Sequence, residues 1–174
     1  MMELAPELAQ VYLHPGEMYI ARNPTILRTV LGSCVGITFW SPRLKIGALC
    51  HAVLPRIPPD LPADLQATEG YRYVDFCISD VSRQLEVMGA VRRQLQVKLF
   101  GGSDVLPVSS SPSARATVGR QNWQAALEVM RAENLEVMVN DLGGTRGCTL
   151  QFHTGTGEVL LRRLAQPIYE DENL

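Results

Sequence analysis

The sequence lacks a long hydrophobic run, and it has almost no excess of charge of either sign. No apolar stretch approaches the roughly 18 to 20 residues that a membrane-spanning helix needs. The N-terminal MMELAPELAQ has no basic segment followed by an apolar one, as a secretory signal would. The chain has 16 basic and 18 acidic residues, so its charge does not favour nucleic-acid binding. We therefore expect a cytoplasmic protein with no membrane insertion and no nucleic-acid partner.

Cysteine is also scarce, and its spacing argues against three classes of protein. The 4 cysteines lie far apart in the chain, and no CxxC occurs. This is not the dense pattern of a secreted disulfide scaffold. It also gives little support to a structural zinc site or to a thioredoxin-like redox motif. The cysteines are Cys34, Cys50, Cys77 and Cys148.

The length and the apolar content fit one folded domain. With 174 residues, of which 46% are hydrophobic, the chain can bury a core. We expect a single domain over residues 1–174, with loosely ordered tails at 1–11 and 165–174. Apolar spacing predicts a helix over 71–88, ended by Gly89, and a second helix around 123–130. The element order β-β-α-β-α-β-β-β predicts an α/β (α+β) layered sandwich, in which one mixed β-sheet is flanked by helices.

A predicted hairpin brings a cysteine and a histidine together. CVGITFW (34–40) and KIGALCHAVLP (45–55) are typical of strands around a short turn at Pro42. With Pro42 and Arg43 as a two-residue loop, Cys34 lies directly opposite His51, with the Cβ atoms ~4.5–5.5 Å apart. Cys50 then lies on the other face, with the candidate core. Gly36 and Gly47 are expected to leave the face of Cys34 and His51 open.

Such a pair has a chemical use. A neighbouring imidazole can hold a thiolate as an ion pair and can deliver the proton to a leaving amine. Gly32 and Ser33 would allow the chain to turn so that backbone N–H groups face an oxyanion. Thr29 could orient the imidazole through its hydroxyl or carbonyl. The alternative is that Cys34 is a small residue of the core, as expected for Cys50.

Several blocks together resemble one family. They are LHPGE, LRTVLGSCVGI, IGALCHAVLP, YVDFCI, KLFGGSDVL, VGRQNWQAAL and NDLGGTRGCTLQFHTGTGEVLLRRL, in order over most of residues 12–164. They resemble CheD, the chemoreceptor glutamine deamidase of bacterial chemotaxis. The resemblance implies a fold related to the deamidating bacterial toxins. It also implies a cysteine nucleophile at Cys34, a histidine at His51 and a threonine at Thr29.

The implied activity is hydrolysis of receptor glutamine side chains to glutamate and ammonia through a thioester, with no metal or organic cofactor. The implied substrate is the cytoplasmic helical region of chemoreceptors, and CheC phosphatase is a possible partner. A non-catalytic or dual-role adaptor that binds CheC and receptors is the alternative, and a redox-active thiol protein is a weaker one. The blocks FGGS and DLGGTRG lack a phosphate-loop pattern. They fit positive-φ turns near an active-site cleft instead.

Overall fold

The computed structural model describes residues 7–105 and 116–165. Its strands and helices, in chain order, are β1 (Ala9–Tyr12), β2 (Met18–Ala21), β3 (Thr25–Leu31), β4 (Val35–Ser41), β5 (Ile46–Ala52), α1 (Ala63–Glu69), α2 (Val74–Val87), β6 (Gln96–Gly101), α3 (Val118–Ala132), β7 (Val137–Leu142), β8 (Cys148–His153) and β9 (Glu158–Arg163). Two single 3₁₀ turns, Gly70–Arg72 and Arg92–Gln94, join these elements. No helix of the described residues is long and apolar enough to span a membrane.

The strands form two sheets, which we call the outer and the central sheet. The outer sheet has the order β1-β3-β8-β9, and the central sheet has the order β2-β5-β4-β6-β7. The pairs β1–β3 and β6–β7 are parallel, and the other pairs are antiparallel. The predicted α+β class with mixed sheets and flanking helices is therefore confirmed.

Two apolar clusters define the layers. In the first, Ile37 and Cys50 of the central sheet pack against α2 and α3. In the second, Leu49 and Phe100 on the opposite face of that sheet pack against residues of the outer sheet such as Leu31. The order of layers is thus outer sheet, central sheet and helices. Every residue of β5 is buried, because both faces of the central sheet are covered here.

The prediction of one sheet was wrong, and the reason lies in β3. From the sequence, residues 16–30 look like an entry strand and turn with a break at Asn23-Pro24. The structure has the strands β2 and β3 on the two sides of this break, and they join different sheets. In β3, alternate residues starting at Thr25 are buried and those between them are more exposed. A strand with one covered face fits an outer layer and not the centre of a sheet buried on both sides.

The helix predictions hold, with one omission. The helix expected over 71–88 is α2, which ends at Val87, and Gly89 after it has a φ of 99°. The second expected helix is α3. The short α1 was not predicted because none of its residues is buried, so it carries no periodic apolar signal. Residues 9–11, assigned to a tail, belong to β1. The rest of the predicted tails lies mainly outside the described residues.

The hairpin of β4 and β5 has the predicted faces but another register. Its turn contains the four residues 42–45, closed by a 2.9 Å hydrogen bond from Lys45 N–H to the Ser41 carbonyl, and Lys45 has a φ of 55°. The residue opposite His51 is therefore Gly36 and not Cys34. The two additional loop residues shift the pairing by two positions. Each side chain keeps its face, because side chains alternate with a period of two.

The two glycines of this hairpin serve close packing and do not open a face. A Cβ at Gly36 would lie 2.8 Å from Leu31 Cδ1, and one at Gly47 would lie 2.8 Å from Thr154 Cβ. Leu31 belongs to the outer sheet, and Thr154 directly follows β8 of that sheet. The absence of side chains at 36 and 47 thus lets the outer sheet approach the central one.

Candidate active site

His51 lies on β5 with its ring on the face that meets the outer sheet, and it is 2% exposed. Its backbone is held from the turn before β2, since Gly16 N–H donates to the His51 carbonyl and His51 N–H donates to the Glu17 carbonyl. A buried imidazole needs partners within the protein for its two ring nitrogens. Those partners determine which chemistry the ring can perform.

Thr29 supplies the partner for one nitrogen. Its Oγ1 lies 2.7 Å from His51 Nδ1 and 2.8 Å from the Leu13 carbonyl oxygen. The carbonyl can only accept, so the single hydroxyl proton goes to Leu13. Nδ1 must then carry a proton and donate it to Thr29 Oγ1. We infer the tautomer from this geometry: Nδ1 is protonated and Nε2 has a free lone pair. The threonine contacts the imidazole through its hydroxyl, which is one of the two predicted contacts.

The other nitrogen, His51 Nε2, is buried and has no hydrogen-bond partner among residues 7–105 and 116–165. Burial lowers the pKa of His51, while the Leu13 carbonyl and the charge of Glu17 partly oppose this effect. The resting imidazole is therefore neutral. A neutral ring with a free acceptor nitrogen is the state of a general base.

Cys34 lies between β3 and β4, and its thiol is free and partly exposed. Its side chain packs against the apolar cluster between the two sheets, on the face of β4 that also carries the His51 ring. Cys34 lies two residues before Gly36, the residue opposite His51, and directly before Val35, which forms the last pair of the ladder.

The pKa shifts of Cys34 and His51 do not favour the predicted ion pair. Burial raises the pKa of Cys34, and hydrogen bonds from its own backbone N–H and from the Ser33 hydroxyl lower it only in part. For His51 the shift also favours the uncharged form. The low-dielectric space between the sheets disfavours both charges at once. Both shifts favour a thiol and an imidazole over a thiolate and an imidazolium.

Ser33 and Gly32 contribute to the turn in different ways. The Ser33 hydroxyl is one of the groups that lower the pKa of the Cys34 thiol and partly offset the effect of burial. The Gly32 carbonyl accepts a 2.9 Å hydrogen bond from Ser103 N–H. The φ of Gly32 lies outside the left-handed region, and a Cβ there would meet only the methyls of Val105 at 3.7 Å. The turn before Cys34 therefore does not require glycine at this position.

The other cysteines and histidines have no proposed catalytic role. Cys50 is fully buried beneath the helices, as expected, and Cys77 lies in the same cluster. Cys148 is fully buried between the sheets. The ring of His153 contacts Gln151, and His14 packs edge-on against Tyr12.

Comparison with known proteins identifies the family. A family model described as "CheD chemotactic sensory transduction" matches residues 56–163. The chain belongs to the CheD family. A Geobacter sulfurreducens protein named "Probable chemoreceptor glutamine deamidase CheD 2" is 48% identical over 162 residues, which cover 91% of this chain and 92% of the relative. Proteins named "Probable chemoreceptor glutamine deamidase CheD" from Maridesulfovibrio salexigens and Pseudomonas syringae pv. syringae are each 37% identical. The match to the Maridesulfovibrio protein covers 94% of this chain and 96% of that relative. The match to the Pseudomonas protein covers 89% of this chain and 85% of that relative.

In this CheD-family chain, two glycines lie directly beside Cys34. Gly101 and Gly102 have φ values of 93° and 64°, and Gly102 N–H donates a 2.7 Å hydrogen bond to the Cys34 carbonyl. A Cβ at Gly101 would lie 2.3 Å from the same oxygen. The block FGGS thus forms a positive-φ turn beside Cys34, as predicted. In DLGGTRG, Gly143 and Gly144 also have positive φ.

Sequence reasoning missed Asn122, which lies on α3 and is fully buried. Its Nδ2 donates 3.0 Å hydrogen bonds to the carbonyls of Ser33 and Val53. The block VGRQNWQAAL places a polar residue on the buried face of an amphipathic helix. A buried amide among apolar neighbours is the signal that could have indicated this contact.

Proposed function

We propose that this protein is a chemoreceptor glutamine deamidase that hydrolyses selected receptor glutamines through a thioester on Cys34. The family and the names of its relatives support the reaction. The observation that carries the mechanism is the state of His51: Nδ1 is bonded to Thr29, and Nε2 is buried without a partner, on the face of the central sheet shared with Cys34. This is an oriented base beside a nucleophile.

In the first half of the reaction, Cys34 Sγ attacks the carboxamide carbon of the substrate glutamine. His51 Nε2 accepts the thiol proton as the C–S bond forms, so that no free thiolate is needed at rest. The tetrahedral intermediate then collapses. His51 returns the proton to the departing nitrogen, the C–N bond breaks, and ammonia leaves a thioester on Cys34.

In the second half, water attacks the thioester carbon and His51 Nε2 takes its proton. When the C–S bond breaks, this proton returns to sulfur, and the products are glutamate and the free enzyme. The balance is one glutamine side chain and one water giving one glutamate side chain and one ammonium ion, because the ammonia that leaves takes up the proton that the carboxylic acid releases. Thr29 keeps the ring in the required tautomer through both steps by accepting from Nδ1.

The tetrahedral oxyanion needs hydrogen-bond donors, and the backbone N–H of Cys34 is the nearest candidate. This N–H already lies beside Sγ, where it favours the thiolate. An oxygen on the carbon attached to Sγ would form in the same place. Preorganised donors of this kind are worth about 10²–10³ in kcat each. The Ser33 hydroxyl is a second group that can move from sulfur to the oxyanion.

We further propose that the whole chain acts as a single domain in the cytoplasm and that the cytoplasmic helical region of chemoreceptors is its substrate. The two sheets support the single domain, since Thr29 and His51 come from different sheets of one sandwich. Membership of the CheD family supports CheC phosphatase as a second partner. An adaptor role would then accompany catalysis rather than replace it.

Mass spectrometry of a receptor cytoplasmic fragment tests the proposal. Incubation with the wild-type protein should convert specific glutamines to glutamates and release ammonia in equal amounts. Cys34→Ala should abolish the conversion, and Cys148→Ala, which removes another thiol of the cluster between the sheets, should keep it. A wild-type protein that binds the fragment without converting any glutamine would make the chain an adaptor.

A further inference from the structure

Asn122 connects α3 to both strands that carry the proposed catalytic residues. Its Nδ2 lies 3.0 Å from the Ser33 carbonyl oxygen and 3.0 Å from the Val53 carbonyl oxygen. Both carbonyls can only accept, so the orientation of the side-chain amide is fixed with both of its protons directed at them. Ser33 precedes Cys34, and Val53 follows His51 by two residues.

This contact lies where the ladder between β4 and β5 ends. The last pair of the ladder is Val35 with Ala52, so Ser33 and Val53 lie beyond it, on two strands that have begun to separate. The amide of Asn122 supplies donors to both carbonyls at this fork. It thereby gives these two carbonyls the hydrogen-bond donors that backbone N–H groups supply within the ladder.

The orientation of Ser33 determines that of the next N–H group. The Ser33 carbonyl and the Cys34 N–H belong to one planar trans peptide, in which C=O and N–H point in opposite directions. Because Asn122 draws the carbonyl toward α3, the N–H must point away from the helix.

We propose that Asn122 is a positioning residue for the oxyanion site: by holding the Ser33 carbonyl, it aims the backbone N–H of Cys34 at the oxygen of the tetrahedral intermediate. The inference rests on the proposed deamidation by Cys34 and adds to it a residue 88 positions away in the chain. Asn122 touches neither the substrate nor the reacting atoms.

The buried Oδ1 of Asn122 supports a specific use of the amide. This atom has no hydrogen-bond partner among the described residues, although the side chain is fully buried. An unsatisfied buried acceptor costs about 1–3 kcal/mol. The side chain therefore stabilises this region through its two N–H donors, which bond to the carbonyls of Ser33 and Val53.

Two reactions of Cys34 separate this role from a merely structural one. Deamidation passes through an oxyanion, whereas alkylation by iodoacetamide displaces iodide without forming one. In Asn122→Ala, kcat for a receptor cytoplasmic fragment should fall about 100-fold, the effect of losing one oxyanion donor. The limiting alkylation rate at high pH, where the thiol is fully ionised, should equal that of the wild type. Both rates are measured at a temperature at which circular dichroism shows a folded protein.

A second variant and a control complete the test. Asn122→Leu has a similar shape, lacks the donors and also removes the orphaned Oδ1, and it should show the same separation of the two rates. Ser82→Ala removes another buried hydrogen bond, one confined to α2, and should change neither rate. Unchanged kcat in a folded Asn122 variant, or equal losses in both rates, would overturn the proposal. Absence of conversion by the wild type would instead contradict the proposed function itself.

Discussion

Thr29 of the outer sheet and His51 of the central sheet are joined by a 2.7 Å hydrogen bond between Oγ1 and Nδ1. The bond crosses the interface between the two layers, and the Leu13 carbonyl fixes its direction by accepting the threonine proton. The histidine can therefore hold its tautomer only while the two sheets are packed together. The orientation of the His51 ring is therefore established only when the two-sheet sandwich folds.

Removal of the threonine hydroxyl should lower turnover more than it lowers binding. Thr29→Val keeps the shape but leaves Nδ1 without an acceptor, so the ring loses its fixed tautomer. We expect kcat for receptor deamidation to fall by about tenfold or more, less than the ~10²–10⁴-fold loss expected for His51→Ala. Thr29→Ser, which retains the hydroxyl, is the control and should stay close to the wild type. Equal kcat in Thr29→Val and the wild type would remove Thr29 from the mechanism.

The acid limb of the pH–rate profile should report His51. Only the neutral ring accepts the thiol proton, and burial lowers its pKa. The neutral form thus persists to lower pH than for a free imidazole. We expect kcat/KM to rise with pH through a midpoint below ~6.5 and then to reach a plateau. A midpoint above that value would show a stabilised imidazolium and contradict the neutral pair.

Alkylation of Cys34 should distinguish the neutral pair from an ion pair. Since burial raises the pKa of this thiol, the rate of reaction with iodoacetamide should rise through a midpoint above ~8.5. His51→Ala should leave that midpoint in place, because the wild-type ring carries no charge, while it removes deamidation. The rates are read from the Cys34 peptide by mass spectrometry. A low midpoint that rises in His51→Ala would restore the ion pair.

Cys34 and Cys50 should respond to alanine in opposite ways. Cys50 is fully buried under the helices, and its truncation leaves a small cavity. Cys50→Ala should therefore lower the free energy of unfolding by about 1 kcal/mol and leave kcat unchanged. Cys34→Ala should abolish turnover with little effect on stability, since its thiol is partly exposed. Denaturant unfolding and deamidation assays of both variants check this, and loss of kcat in a stable Cys50→Ala would contradict the assignment of faces.

The hairpin shows how far the sequence could be interpreted. Alternation alone separates the face of Ile37 and Cys50 from the face of His51, and this part of the prediction is correct. The register depends on the turn, and Pro42 and Arg43 give no sign that Leu44 and Lys45 also belong to it. A shift of two residues preserves every face, so the face that carries His51 could be predicted even though the pairing could not.

Other features depend on contacts between distant segments. Strand β3 belongs to the outer sheet because it pairs with β8, which lies more than 100 residues later in the chain. The neutral state of Cys34 depends on burial between two sheets, which a single-sheet prediction could not include. Asn122 reaches Ser33 because it lies on α3, and a long connection separates α3 from β6 in the chain. The residue types of the candidate site could thus be recognised in local blocks of the sequence. The pKa shifts of these residues could not, because they depend on burial between two sheets and the prediction had one.

Trapping of the proposed thioester tests the central claim most directly. Hydroxylamine, added during incubation of the protein with a receptor cytoplasmic fragment, competes with water for a thioester and converts the target side chain to a hydroxamate. We expect hydroxamate at the same receptor positions that otherwise become glutamate, formed by the wild type and absent with Cys34→Ala. Deamidation by the wild type with no hydroxamate at any hydroxylamine concentration, or hydroxamate formed equally by Cys34→Ala, would contradict a covalent intermediate on Cys34.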